Sequence, residues 1–229
     1  MAFHLIFPAA GVGRRFGLDI PKQYCVIQNR TVMEWTLSVF QSVPDIFHQI
    51  IALSAEDKWA NEILPAFSRL VRVDGGKERA DSVSHALSFL SEIVDEDDWV
   101  MVHDIARPCI QVSDLIKLMR HCQETGHGAV LGHPVTDTIK SYRRGEAVKT
   151  VDRSTLWAVQ TPQCFRLGEL QQALQYCANN KILVTDEASA IEAFNGVVDV
   201  VEGDRSNIKL THASDQALVT FYLQQQGRL

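Results

Sequence analysis

Near the amino terminus a run of very small residues leads into three cations, an arrangement suited to handling phosphate. Pro8, Ala9, Ala10, Gly11, Val12 and Gly13 are followed by Arg14 and Arg15, and Pro21 and Lys22 come shortly after. Side chains this small let an anion approach backbone N–H groups, and glycine also tolerates the positive φ that such loops often need. Two familiar phosphate loops do not fit. The dinucleotide fingerprint needs a third glycine where Phe16 stands. The P-loop needs Gly-Lys-Ser/Thr after four spacer residues, and that run is missing. On these residues alone, a phosphate-handling loop and a tight turn with solvated arginines both remain open.

Two further stretches carry usable chemistry. In Asp74-Gly75-Gly76-Lys77-Glu78-Arg79-Ala80-Asp81-Ser82, the glycines allow backbone groups to reach a planar base edge, and Ser82 can donate or accept a hydrogen bond. His103-Asp104-Ile105-Ala106-Arg107-Pro108 closes an apolar run, and a carboxylate at a strand's end suits Mg²⁺ held with waters and substrate phosphates. The plain alternatives are a glycine turn before a charged helix start, and a turn-forming Asp104 beside a buried, satisfied His103. Pro134–Thr138, Thr150–Arg153, Thr185–Ser189 and Asn207–Thr211 read equally as caps or solvated charge. A helix opening at Thr185 would also attract a phosphate.

The elements that must position these loops alternate in type. Phe3–Phe7, His48–Leu53, Leu70–Val73, Trp99–His103 and Ala129–Leu131 read as strands. Helices are expected after the capping box Thr31–Glu34, weakly over Glu56–Phe67, over Arg79–Val94, and after a Ser113 cap. This alternation predicts an α/β fold with a mainly parallel sheet and helices on both faces, where ligands bind at the carboxyl ends of strands. The second half departs from the pattern. Thr138–Tyr142 and Ala147–Asp152 read as a polar hairpin projecting as an arm. Helices return at Leu167–Ala178, at Asp186–Phe194 after a Thr185 cap, and at Ser214–Gln225. Val197–Val201 reads as a strand, and Asn207–Thr211 as the end of another.

Composition narrows the function. The chain has 229 residues, 46% apolar and 22% charged, with net charge −6, which disfavours a nucleic-acid surface. No apolar run reaches the length of a membrane span, and no basic-then-apolar leader opens the chain. Arg14-Arg15 lacks the apolar segment that twin-arginine export requires. Five cysteines without a Cys-x-x-Cys pair argue for reduced, buried thiols in a cytoplasmic protein.

Taken together, the stretches resemble 2-C-methyl-D-erythritol 4-phosphate cytidylyltransferases of the non-mevalonate isoprenoid route, from about Leu5 to Tyr222. The resemblance rests on Pro8–Arg15, Pro21–Tyr24, Asp74–Ser82, His103–Pro108, Thr150–Arg153, Thr161–Gln163, Thr185–Ser189 and Asn207–Lys209. It implies a Rossmann-like nucleotidyltransferase domain over residues 1–229, with a β-arm at about 136–160 that hooks two chains into a homodimer. It also implies the substrates CTP and a sugar-alcohol phosphate, with Mg²⁺ or another divalent cation. By resemblance, Arg15 and Lys22 stabilise the transition state. Pro8, Ala9, Ala10, Gly11, Gly13, Gly75, Gly76, Ser82, Asp104 and Ile105 hold the nucleotide, and Asp104 supports the metal. Arg153, Lys209, Thr138, Thr185 and Arg107 serve the acceptor. Ile105 stands where the family pattern has alanine, which implies an altered ribose wall; Lys77 stands where an acidic residue is common. A ribitol phosphate cytidylyltransferase, which shares the CTP stretches, and a non-catalytic nucleotide-binding module are the alternatives. A dehydrogenase conflicts with Phe16.

Overall fold

A computed structural model describes residues 1–11 and 20–229. Its elements run β1 (Phe3–Pro8), β2 (Val26–Ile27), β3 (Arg30–Thr31), α1 (Val32–Gln41), β4 (Ile46–Leu53), α2 (Ala60–Ile63), β5 (Leu70–Asp74), α3 (Arg79–Ser91), β6 (Trp99–Val102) and α4 (Val112–Thr125). They continue with β7 (Gly128–Pro134), β8 (Ile139–Ser141), β9 (Lys149–Val151), β10 (Trp157–Arg166), α5 (Leu167–Asn179), α6 (Glu187–Ala193), β11 (Val198–Glu202) and α7 (Asp215–Gln225).

Seven strands form one sheet in the order β11-β7-β10-β6-β1-β4-β5. The neighbours β6–β1, β1–β4, β4–β5 and β7–β11 are parallel, as the alternation predicts. The central strands are apolar on both faces because helices cover both. Leu5 and Phe7 point into a core with Met33, Leu37 and Phe40 of α1 and Leu115 and Leu118 of α4. Ile6 points the other way, into a core with Val83, Leu87 and Leu90 of α3 and Leu170 and Leu174 of α5. A third cluster packs Val219 and Leu223 of α7 against Trp35 and Leu210.

The strand β10 is not among the expected elements. It lies inside the sheet between β6 and β7, antiparallel to both. Its Gln160, Thr161 and Gln163 are buried but polar, so no apolar run announces it. The register with β7 shifts between Val159↔Gly132 and Gln163↔Val130, a bulge that turns the intervening side chains toward neighbouring loops.

Several ends differ from expectation. Thr31 and Glu34 do form the capping box of α1. Ser113 lies inside the first turn of α4, whose cap position is Gln111. Asp186, not Thr185, caps α6 through its side chain and Ser189 N. The expected helix over 56–67 shortens to α2 and a 3₁₀ turn at Leu64–Ala66, because Pro65 lacks the N–H to continue an α-helix. Residues 207–211 form no strand; Leu210 N donates to Ala106 O (2.8 Å) instead. The polar hairpin is present as β8–β9, exposed along most of its length, and Trp157 already pairs with Pro134 in the main sheet. All five cysteines are buried and free, and no helix among the described residues is long and apolar enough to cross a membrane.

Candidate active site

The loops that follow β1, β5 and β6 meet at one end of the sheet and line a single cleft. Pro8, Ala9, Ala10 and Gly11 form one wall, Gly76 to Arg79 and Ser82 a second, and Asp104, Ile105 and Ala106 the floor; Lys22 and Lys209 close the rim. Two tight approaches explain the glycine pair. A Cβ on Gly75 would lie 2.4 Å from the Ala10 Cβ, and one on Gly76 would lie 2.1 Å from the Asp81 Cβ. The loop after β5 can therefore press against the loop after β1 and the first turn of α3 only without side chains there. Gly75 N donates to Leu53 O (2.7 Å), and Gly76 N to Ser82 Oγ (3.0 Å), which ties this wall to the end of β4 and to α3. Lys22 opens a 3₁₀ turn, and the adjacent Gln23 side chain anchors that turn to Ala9 O (3.1 Å).

Asp104 is the electrostatic centre. Its Oδ1 accepts from Arg79 Nε (3.2 Å), its Oδ2 lies 2.9 Å from Lys209 Nζ, and Arg107 Nε stands 3.5 Å from Oδ2. Burial alone would raise the carboxyl's pKa, but Arg79, Lys209 and Arg107 hold it well below the usual carboxylate range. Arg79 in turn makes two bonds to Glu187, Nη1 to Oε1 (2.5 Å) and Nη2 to Oε2 (2.9 Å). Burial works against the Arg79 charge, and Glu187, then Asp104, hold its pKa above the usual value. Three cations thus face two carboxylates, so this cluster stays positive by one charge beside a cleft suited to phosphates.

The floor is held from β10. Asp104 N donates to Thr161 Oγ1 (3.0 Å), and that hydroxyl lies 3.1 Å from His103 Nδ1. Because Arg107 O can only accept, the His103 proton sits on Nε2, 3.2 Å away, and Thr161 donates to Nδ1. Burial pushes the His103 pKa down to about 3, so the ring is neutral and the chain of bonds is complete. Asn207 Nδ2 donates to Thr161 O (2.8 Å). Gln163, two residues on, donates to Asp186 Oδ2 (2.8 Å) and accepts from Ala188 N (2.9 Å), which places α6 and therefore Glu187.

The sequence family model described as 2-C-methyl-D-erythritol 4-phosphate cytidylyltransferase matches residues 3–225. The chain belongs to that family. It is 43% identical over 221 residues to the enzyme of that name from Hahella chejuensis, covering 96% of this chain and 92% of the relative. It is 41% identical over 223 residues to the one from Vibrio vulnificus strain YJ016, covering 96% and 94%. The crystal structure of a 4-diphosphocytidyl-2C-methyl-D-erythritol synthase superposes with a TM-score of 0.85 at 34% identity, covering 97% of this chain and 98% of the other. The Francisella tularensis cytidylyltransferase structure gives 0.84 at 34% identity, covering 97% and 100%. The mixed α/β architecture is thus that of this nucleotidyltransferase family.

Among the residues expected to serve the family's chemistry, Pro8, Ala9, Ala10, Gly11, Lys22, Gly76, Ser82, Asp104, Ile105 and Lys209 line the cleft, and Gly75 packs directly behind Ala10. Gly13 and Arg15 lie outside the described residues. Arg107 stands behind the floor, where its Nη1 donates to Asn207 O (2.7 Å). Thr138, Arg153 and Thr185 are exposed and do not line this chain's cleft. Arg153 is fastened at the arm's base by a bond to Thr136 O (2.6 Å). Arg79, Thr161, Gln163 and Glu187 had no role in the sequence reading, although each lies in a stretch singled out there. Their partners are far away in the chain, Arg79 and Glu187 being 108 positions apart, so local spacing carries no sign of the pairing.

Proposed function

We propose that this chain transfers a cytidylyl group from CTP to 2-C-methyl-D-erythritol 4-phosphate and releases pyrophosphate. The observation that carries the reading is the meeting of the small-residue loop, the glycine pair, Asp104 and Lys209 on one cleft, in a chain that belongs to the family of that name. A phosphate oxygen of the acceptor attacks the α-phosphorus of CTP; the new O–P bond forms as the bond to the bridging oxygen of pyrophosphate breaks. The acceptor phosphate is already anionic near neutral pH, so no general base is required. Positioning and charge stabilisation carry the catalysis. Lys22, at the rim, and Arg15 meet the charge that concentrates on the pentacoordinate phosphorus. The walls from Pro8 to Gly11 and from Gly75 to Ser82 hold the nucleotide, and Ile105 faces it from the floor.

Among the described residues no cluster of three or more His, Cys, Asp or Glu could hold a metal ion. Asp104 is a single carboxylate whose Oδ1 has one partner among the described residues, which suits a divalent cation that takes its other ligands from substrate phosphates and water. Mg²⁺ would then arrive with CTP and offset charge on the triphosphate.

Lys209, at the rim beside Asp104, and Arg107 behind the floor serve the acceptor phosphate. Arg153, Thr138 and Thr185 would serve it from a second copy: a two-fold dimer through the arm builds each site from both chains. A cytoplasmic location fits such water-soluble substrates.

The test is pyrophosphate release from CTP with methylerythritol phosphate, with ribitol 5-phosphate, and with metal omitted. Turnover with the first acceptor and loss without metal support the assignment. Equal or better turnover with ribitol 5-phosphate moves it to the sister activity.

A further inference from the structure

The bidentate pair between Arg79 and Glu187 is hard to explain as a stability device. Glu187 is 1% exposed and opens α6, whereas Arg79 opens α3. A buried ion pair gains little over well-packed apolar side chains, because two charges must leave water to make it. Its geometry does fix a direction. A guanidinium held at both Nη atoms by one carboxylate cannot turn in its plane, so its Nε is aimed, here at Asp104 Oδ1. Glu187 also shares the Arg79 charge. Without it, the freed guanidinium could turn both its Nη atoms onto Asp104, whose other oxygen already faces Lys209 and Arg107.

We propose that Glu187 is a positioning residue for the transfer reaction, acting through Arg79 to set the orientation and available charge of Asp104. It cannot touch substrate from its buried place. The helix that carries it is held by Gln163 of β10, and Asp104 N is held by Thr161 of the same strand. One strand thus sets the backbone of Asp104 directly and its side chain by way of α6, Glu187 and Arg79.

This inference rests on the transfer activity proposed above, and its tests separate the two. Absence of turnover in the wild-type protein would remove the activity. The inference is judged on variants and on a spectrum that needs no turnover. Glu187→Gln keeps the shape and one acceptor but loses the charge and the second acceptor. It is expected to lower kcat about tenfold or more, with CTP KM changed less than about threefold. In an Asp104→Asn background the same change should lower kcat less than about twofold further, since the two act in one chain of contacts. The Arg79 Nε–H resonance in a ¹⁵N-correlated spectrum, assigned with Arg79→Lys, should move in both Glu187→Gln and Asp104→Asn. Glu187→Met tests the fold separately: it should melt within a few degrees of wild type and show the same loss in kcat. Full kcat in either folded Glu187 variant, an equal drop with and without Asp104, or an unmoved Arg79 signal in Glu187→Gln overturns the proposal. Should both single variants fail to fold, the paired Arg79→Met/Glu187→Met protein replaces them, and wild-type kcat there overturns it equally.

Discussion

The floor of the cleft and the β8–β9 arm both carry charged side chains, and they hold them in opposite ways. At the floor, Asp104 is buried, both its oxygens face cations, and its backbone is fastened to β10. On the arm, Lys140 meets Thr150 (2.6 Å) and Arg153 meets Thr136 O, all on exposed residues. Charges in the floor are fixed by partners within the chain. Those on the arm have few, and the dimer proposed above is what would give Arg153 and Thr138 a task. The contrast teaches that the floor is fixed by partners within one chain, whereas the arm, among the described residues, leaves its charges largely to solvent.

The largest effect should come from the two cations proposed above to stabilise the transition state. Lys22→Ala and Arg15→Ala are each expected to lower kcat on the order of 10²-fold or more, with smaller effects on CTP binding, because their charge matters most in the transition state. Steady-state kinetics decide this; a loss confined to KM would make them ground-state binders only.

Next comes acid sensitivity of the floor. His103 is neutral when folded, pushed by burial to about 3, and near 6.5 when unfolded. The unfolded chain therefore binds the extra proton first, and stability falls as pH drops from about 6.5 toward 3. At pH 5 this group alone should contribute a loss of ~2 kcal/mol relative to pH 7. Urea melts of wild type and His103→Gln at both pH values measure it; an equal slope in the two proteins would remove His103 as the cause.

Asp104→Asn keeps the shape but removes the charge. The Mg²⁺ concentration for half-maximal rate is expected to rise about tenfold while the melting temperature stays close to wild type. An unchanged Mg²⁺ curve would free Asp104 from any part in metal binding.

The shared site proposed above can be tested with mixed dimers. Arg153→Ala and Lys22→Ala homodimers should both be nearly inactive. Mixed dimers purified through two different tags would have one intact site of two, hence about half of wild-type activity per dimer. Mixed dimers as inactive as their parents would show that Arg153 acts within its own chain or not at all.

The smallest effect belongs to the arm's own surface. Lys140→Ala removes a bond between exposed side chains and should change unfolding by less than ~0.5 kcal/mol. A loss above ~1 kcal/mol in chemical melts would mean that the arm is held as firmly as the floor.

Much of this arrangement was readable in the residues. The alternating apolar runs at Phe3–Phe7 and Trp99–Val102 announce buried parallel strands, and Thr31 with Glu34 announces a helix start, because those signals are local. The cleft's small-residue loop and glycine pair were also visible from residue type. What stayed hidden depends on distant partners. The strand β10 carries Gln160, Thr161 and Gln163 in its buried part, and their side chains are satisfied by groups distant in sequence: Asp204, Asn207, His103, Asp104, Asp186 and Ala188. Asp186 displaced Thr185 as the cap of α6 because its carboxylate reaches Ser189 N at 3.0 Å. Nothing in the spacing of Arg79 and Glu187 marks them as partners.

The place of β10 between β6 and β7 also bears on how the chain is made. Its neighbours β6 and β7 are both synthesised before it, and the arm lies between β7 and β10 in the sequence. A nascent chain that has not yet exposed Trp157–Arg166 therefore carries β6 and β7 with facing edges that have nothing between them. Open strand edges invite pairing with other chains. Synthesis stalled within the arm should yield a protein more prone to aggregate than one stalled just beyond Arg166, and ribosome-bound chains of the two lengths would differ in protease resistance.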